Sequence, residues 1–256
     1  MKKTSLVLLS VFMIFCVWMI GYVIVSSPML LPSPVDVVKS LAGLFTKSRS
    51  LASMGMTLLR LVIAMAIALL LGGGLGILGG FKTKFSIFFQ PIVSILRTVP
   101  VISIIVILLI LFGFGLTPYL ITFLMIFPLI YQAFHDGIRN IDSELIDVYK
   151  LEDNRKLTGL RYCYLPLMKN EIETVLLQAA GLGIKVLVMA EYLSQTRTSI
   201  GNALYLAKIN LSYDEVFAWT IILILLAIGF EAIINRFKSL KQKQELFNLP
   251  KKSNTD

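Results

Sequence analysis

The chain has 256 residues, of which 57% are hydrophobic and 15% charged, and its mean hydropathy of +0.82 is far above what a single soluble core requires. Its 24 basic residues against 15 acidic ones lie between and beyond apolar stretches, a pattern that orients a chain in lipid and excludes nucleic acid as a partner. Two cysteines, Cys16 and Cys163, supply no disulfide framework, and the single histidine, His135, has neither cysteine near it in sequence, so no metal and no cofactor are expected in this chain.

In chain order, residues 1–28 read as a first transmembrane span. Met1-Lys2-Lys3 followed by Leu6 to Val25 has the charged start of a secretory signal. The apolar run of about 20 residues is longer than a usual signal core, and no small-x-small site follows it, so an uncleaved span is expected. Residues 29–53 form an extracytoplasmic segment, and residues 54–236 a five-span core. Within that core, apolar stretches long enough to cross a bilayer fall at 56–81, 171–193 and 215–235, and two less regular ones at 87–112 and 119–134. The stretch 87–112 is interrupted by Gln90-Pro91 and Arg97-Thr98-Val99-Pro100, which predicts a kinked or partly re-entrant span, and Gly113 to Pro118 predicts a turn before the next one. Residues 237–256 form a basic tail.

Placing the N-terminus inside leaves sixteen basic residues on inner segments and five on outer ones, Lys39, Lys47, Arg49, Arg197 and Lys208. Both termini are therefore expected in the cytoplasm, which requires an even number of spans. Arg60, Arg97 and Lys185 remain inside apolar segments. Span two descends from the outer side and span five returns to it, which puts Arg60 and Glu191 at similar depth. A lone charge costs about 2.5–3.5 kcal/mol at the bilayer centre. The two residues either pair across the helices or snorkel separately to the outer headgroups. Lys185 faces a pore, where it would favour an anion, pairs with an acidic neighbour, or marks a gap in the span boundaries.

The glycines of Gly72 to Gly80 recur at three- and four-residue spacing, which lets another helix approach closely. Gly76 to Thr83 imitates a phosphate loop, but Phe81 occupies the second obligatory glycine. With no H-E-x-x-H, G-x-S-x-G or C-x-x-C pattern either, the chain carries no catalytic residues, and an enzyme is not expected.

The longest polar inner segment, about 135–169, spaces Leu145, Val148 and Tyr149 helically behind a cap at Asp142 or Ser143. Apolar positions on a cytoplasmic loop have no lipid to face and need a protein partner. Leu165-Pro166 is expected to end the segment before span five.

Here the sequence resembles the inner-membrane permeases of binding-protein-dependent ABC importers, whose cytoplasmic loop reads E-A-A, three residues, G, nine residues, I-x-L-P. Counting back from Pro166, the matching positions are Asp147, Val148, Tyr149, Asp153, Cys163, Leu165 and Pro166. Spacing is kept, while the alanines are replaced by larger residues and the glycine by Asp153. Asp153-Asn154 tolerates the left-handed turn that glycine would allow. Leu31-Pro32-Ser33-Pro34, Thr57 to Arg60, Leu96 to Pro100, Ala190-Glu191, Gly201 and Asp214-Glu215-Val216 are similar to the nitrate, sulfonate and taurine branch, so that the resemblance covers roughly 30–235.

The resemblance implies an all-α integral membrane fold of about six transmembrane helices, with a cytoplasmic coupling helix at 143–166 between spans four and five. It further implies a multi-pass permease of the plasma membrane carrying a small nutrient such as a sulfonate or nitrate. The implied partners are cytoplasmic ABC ATPase subunits, an extracytoplasmic solute-binding protein and a second permease copy, with ATP hydrolysed in the separate ATPase subunit. Two other readings stand beside it: the T subunit of an energy-coupling vitamin importer, whose paired arginine-centred coupling helices are not found here, and an ATPase-independent channel or carrier using Arg60, Lys185 and Glu191.

Overall fold

The computed structural model describes residues 3–27, 30–142, 144–146 and 159–248. Every regular element among the described residues is helical, as lipid requires, because a helix satisfies its backbone groups within its own segment. The helices are α1 (Lys3–Val25), α2 (Pro34–Thr46), α3 (Ser48–Phe81), α4 (Thr83–Thr98), α5 (Val101–Arg139), α6 (Lys169–Ser194), α7 (Ile200–Ile209) and α8 (Tyr213–Asn248). Five of them, α1, α3, α5, α6 and α8, are long and apolar enough to cross a membrane, and the chain is an all-α integral membrane protein.

The expected third and fourth spans meet inside α5. A straight helix of its 39 residues would extend about 58 Å, nearly twice the hydrocarbon core. Gly113, at φ 71° and ψ −174°, divides it. Only this residue leaves the helix, so the turn expected over Gly113 to Pro118 contracts to one position. Pro118 sits within the helix and has no N–H for the carbonyl of Phe114; the Thr196 hydroxyl donates to that carbonyl instead, at 2.8 Å. Pro91 likewise lies inside α4 without breaking it, and the chain breaks only at Val99-Pro100.

Direction follows from the glycines of α3. A Cβ at Gly72 would lie 3.1 Å from the Phe127 carbonyl oxygen, one at Gly76 2.6 Å from that of Tyr131, and one at Gly80 2.7 Å from Ile138 Cβ. The contacts advance together along both chains, so α3 and the second half of α5 run parallel. One return crossing must lie between them, and α4 with the first half of α5 makes it. Against α6 the order reverses: Gly183 meets Leu61, while Glu191 meets Thr57.

The main core joins Leu61, Met65 and Ala68 of α3 to Ile126, Ile130 and Phe134 of α5 and Ala179, Ile184 and Leu187 of α6. A second cluster packs Val37 and Leu44 of α2 on Ile200 of α7 and on Ala218, Trp219 and Ile222 of α8. Ser33 caps α2, its hydroxyl oxygen accepting from the Asp36 N–H at 3.2 Å, with Pro34 at the first helical position. Its far end is tied to α8 by Lys47 and Glu215 at 3.0 Å. The apolar side chains of α1 are nearly all exposed, and it meets the bundle through Trp18 stacked on Phe217 at 5.5 Å.

Candidate functional site

Three helices converge on Glu191, which is wholly buried near the end of α6. Arg60 on α3, itself 5% exposed, donates to Glu191 Oε1 at 2.8 Å. Thr57, one turn earlier on the same face, donates from its hydroxyl to the carboxylate oxygens at 2.9 and 3.0 Å. The remaining capacity goes to α7. The Gly201 N–H donates to Glu191 Oε2 at 3.3 Å, the Ile200 N–H to the Thr57 hydroxyl at 3.1 Å, and the Asn202 N–H to Ser199 Oγ at 3.0 Å. The first-turn donors of α7 are thus met by side chains, and a carboxylate sits where the helix dipole favours one.

Arg60 also donates to the backbone carbonyls of Thr198 at 3.1 Å and Arg197 at 3.3 Å, holding the loop between α6 and α7. That loop turns through left-handed Gln195 and Thr198, at φ 48° and 52°. Gly201 is required where it stands, because a Cβ there would lie 2.6 Å from the Val188 carbonyl oxygen. The arrangement is a latch joining α3, α6, α7 and, through Thr196 and Phe114, the Gly113 break.

At the opposite face, Met168 is buried against Gly137, in the last turns of α5. Of the residues singled out for ATPase coupling, Asp147, Val148, Tyr149 and Asp153 lie outside the described residues, as does Ser143. Asp142 caps the helical turn at 144–146, accepting from the Glu144 N–H at 3.0 Å. Cys163 is buried, Leu165 packs on the main core and Pro166 is exposed. The expected stop at Leu165-Pro166 does not occur: a π-helical turn at Leu160–Tyr164 runs directly into a helical turn at Leu165–Leu167, where Pro166 occupies a first-turn position that needs no N–H. Lys185 is exposed on α6, in a stripe with Glu171, Thr174 and Gln178 at helical spacing.

The family profile of the binding-protein-dependent transport system inner membrane component matches residues 72–240, which include the glycine face of α3, the divided α5, and α6 with its latch to α7. The chain belongs to this family. Within it, the chain is similar to SsuC of Bacillus subtilis (strain 168), a permease protein named for aliphatic sulfonates transport, at 26% identity over 82% of this chain and 76% of the relative. It is also similar to the taurine transport system permease protein TauC of Escherichia coli (strain K12), at 28% identity over 86% of this chain and 83% of the relative.

For this family member, sequence reasoning offered the pairing of Arg60 with Glu191 and quoted Thr57 and Gly201 only as points of resemblance, without their bonds to the pair, and missed the two loop carbonyls. Thr57 was signalled by its three-residue spacing to Arg60, and Ser199-Ile200-Gly201 reads as a helix start. The carbonyls left no signal, since any residue supplies one. Among the described residues no group of three or more His, Cys, Asp or Glu side chains could hold a metal.

Proposed function

We propose that this chain is the membrane-spanning permease subunit of an ATP-binding-cassette importer, forming the solute pathway and coupling it to a separate cytoplasmic ATPase. The observation that carries the reading is the profile match over 72–240, to components of transport systems that depend on a binding protein. Geometry supports it: Met168 before α6 seats on Gly137 of α5, so the end of α5 and the start of α6, which bound the segment, lie together at one face, as a coupling segment needs. Asp147 to Pro166 is that segment, docking on the ATPase through Tyr149 and its neighbours. Movement of the ATPase pair would then be passed to α5 and α6 as a lever.

The unit is two permease copies with two ATPase subunits, served by an extracytoplasmic binding protein, with both termini of the permease in the cytoplasm. The names of SsuC and TauC support a small sulfonate as solute, with nitrate as a related oxyanion. The test is co-purification. The tagged chain, expressed with its ATPase, is expected to retain it and to lose it on Tyr149→Glu while still inserting in the membrane. Retention of the ATPase by that variant, with transport unchanged, would remove Tyr149 from the docking surface.

A further inference from the structure

The amphipathic helix α4 turns Ser86, Gln90, Ser94, Arg97 and Thr98 to one side, against Gln132 and His135 of α5, and the two helices border an open cavity of about 470 Å³ that Val93 and Tyr131 also line. Helix α4 crosses α5 obliquely. Ser86 and Arg97, about 16 Å apart along α4, bond to His135 and Gln132, which lie about 5 Å apart along α5. Gln132 is about 10 Å before the end of α5, next to the point where the apolar stretch 119–134 gives way to His135 and Asp136.

Arg97 is exposed to this cavity, and among the described residues no carboxylate lies within ion-pair distance of it. Its guanidinium donates to Gln132 Oε1, a neutral acceptor that leaves the charge uncompensated. Asp136 faces the same cavity beyond ion-pair distance of Arg97, with one carboxylate oxygen bonded to His135 Nδ1 at 2.7 Å. A second space of about 420 Å³ shares Arg97, Gln132 and Asp136 and continues along α6 past Thr174 and Gln178, with Glu171 at its mouth. Farther along the exposed stripe of α6 stands Lys185. A guanidinium with no carboxylate partner among amide and hydroxyl groups is matched by an oxyanion, two of whose oxygens accept two parallel N–H donors.

We infer that Arg97, with Gln90, Ser94 and Gln132, forms a binding site between α4 and α5 for the oxyanion group of the transported solute, a small organic sulfonate. The site rests on the permease reading above. The incoming sulfonate displaces only the amide of Gln132, which then donates from its NH₂ group to the same anion.

The test uses the full chain in nanodiscs with ethanesulfonate as probe and phenylglyoxal, which modifies accessible guanidinium groups, as reporter. Modification of Arg97, read by peptide mass spectrometry, is expected to fall several-fold with ethanesulfonate and not with tetramethylammonium. In the complete importer, sulfonate uptake is expected to drop about tenfold or more for Arg97→Gln and less for Arg97→Lys, which keeps the charge but loses the fork. Equal modification of Arg97 with and without ethanesulfonate, or uptake by Arg97→Gln within about twofold of the parent at matched membrane levels, overturns the site. Protection of Arg97 in a permease that retains no ATPase would sink the importer reading and leave the anion site standing. An ATPase-coupled permease whose Arg97 is never protected would do the reverse.

Discussion

The carboxylate of Glu191 and the guanidinium of Arg60 lie 2.8 Å apart across the contact of α6 with α3, and both are shielded from solvent. The pair is not symmetric. Glu191 also takes the Gly201 N–H, while Arg60 serves the carbonyls of Arg197 and Thr198. Removing one partner strands the other, at about 3–5 kcal/mol. Arg60→Ala and Glu191→Ala are each expected to lower the thermal unfolding midpoint of the purified permease and to abolish transport. Charge exchange, Arg60→Glu with Glu191→Arg, is expected to recover little, because it sets a guanidinium against N–H donors and a carboxylate against carbonyls. Recovery of half the transport or more would mean that the pair acts by charge alone.

Glycines on α3 separate into those that carry a contact and those that do not. A Cβ at Gly76 would meet backbone of α5 at 2.6 Å, whereas at Gly74 nothing lies within 4 Å. Gly76→Ala is expected to destabilise by about 1–3 kcal/mol through forced separation of the helices. Gly74→Ala should be neutral or slightly stabilising. Thermal unfolding in detergent compares them, and equal effects would refute the packing account.

At the division of α5, Gly113→Ala tests conformation without crowding. Its φ of 71° is unfavourable for any residue with a Cβ, yet nothing lies within 4 Å of one built there. The expected cost is about 1–3 kcal/mol, because this extended positive-φ region is essentially restricted to glycine. Gly115→Ala, at a helical position equally free of neighbours, should have no such cost. Thr196→Val is expected to loosen the same region by leaving the Phe114 carbonyl unmet, measurable as faster hydrogen exchange around 113–119.

Orientation is tested by labelling. In the proposed orientation, with sixteen basic residues on the inner side against five on the outer, residue 152 is expected in the cytoplasm. A cysteine substituted for Glu152, with Cys16 and Cys163 replaced, is expected to resist a membrane-impermeant maleimide in intact cells and to react once they are opened. Reaction from outside would reverse the topology and remove the coupling segment from the ATPase.

Much of the fold was legible because hydropathy is a property of each segment alone. The run at 171–193 is apolar whatever it touches, and it reappears in α6 with only its ends extended. Proline and glycine signals were read less well. Pro91 and Pro118 look like breaks, but a proline's lost hydrogen bond can be made good from elsewhere, and the donor from Thr196 lies far away in sequence.

By itself the sequence determined that the chain lives in lipid, how many apolar segments it has, and that Arg60 and Glu191 lie at a common depth. Only the tertiary structure decided that Thr57 and Gly201 share the charge between them, that Gly76 rather than Gly74 meets α5, and that α4 crosses α5 so that Arg97 faces a cavity. The reason is geometric. Length and hydropathy set how far a helix reaches through the membrane, but each residue turns it by about 100°, and the rotation at which its side chains come to rest is settled only by the helices packed against it.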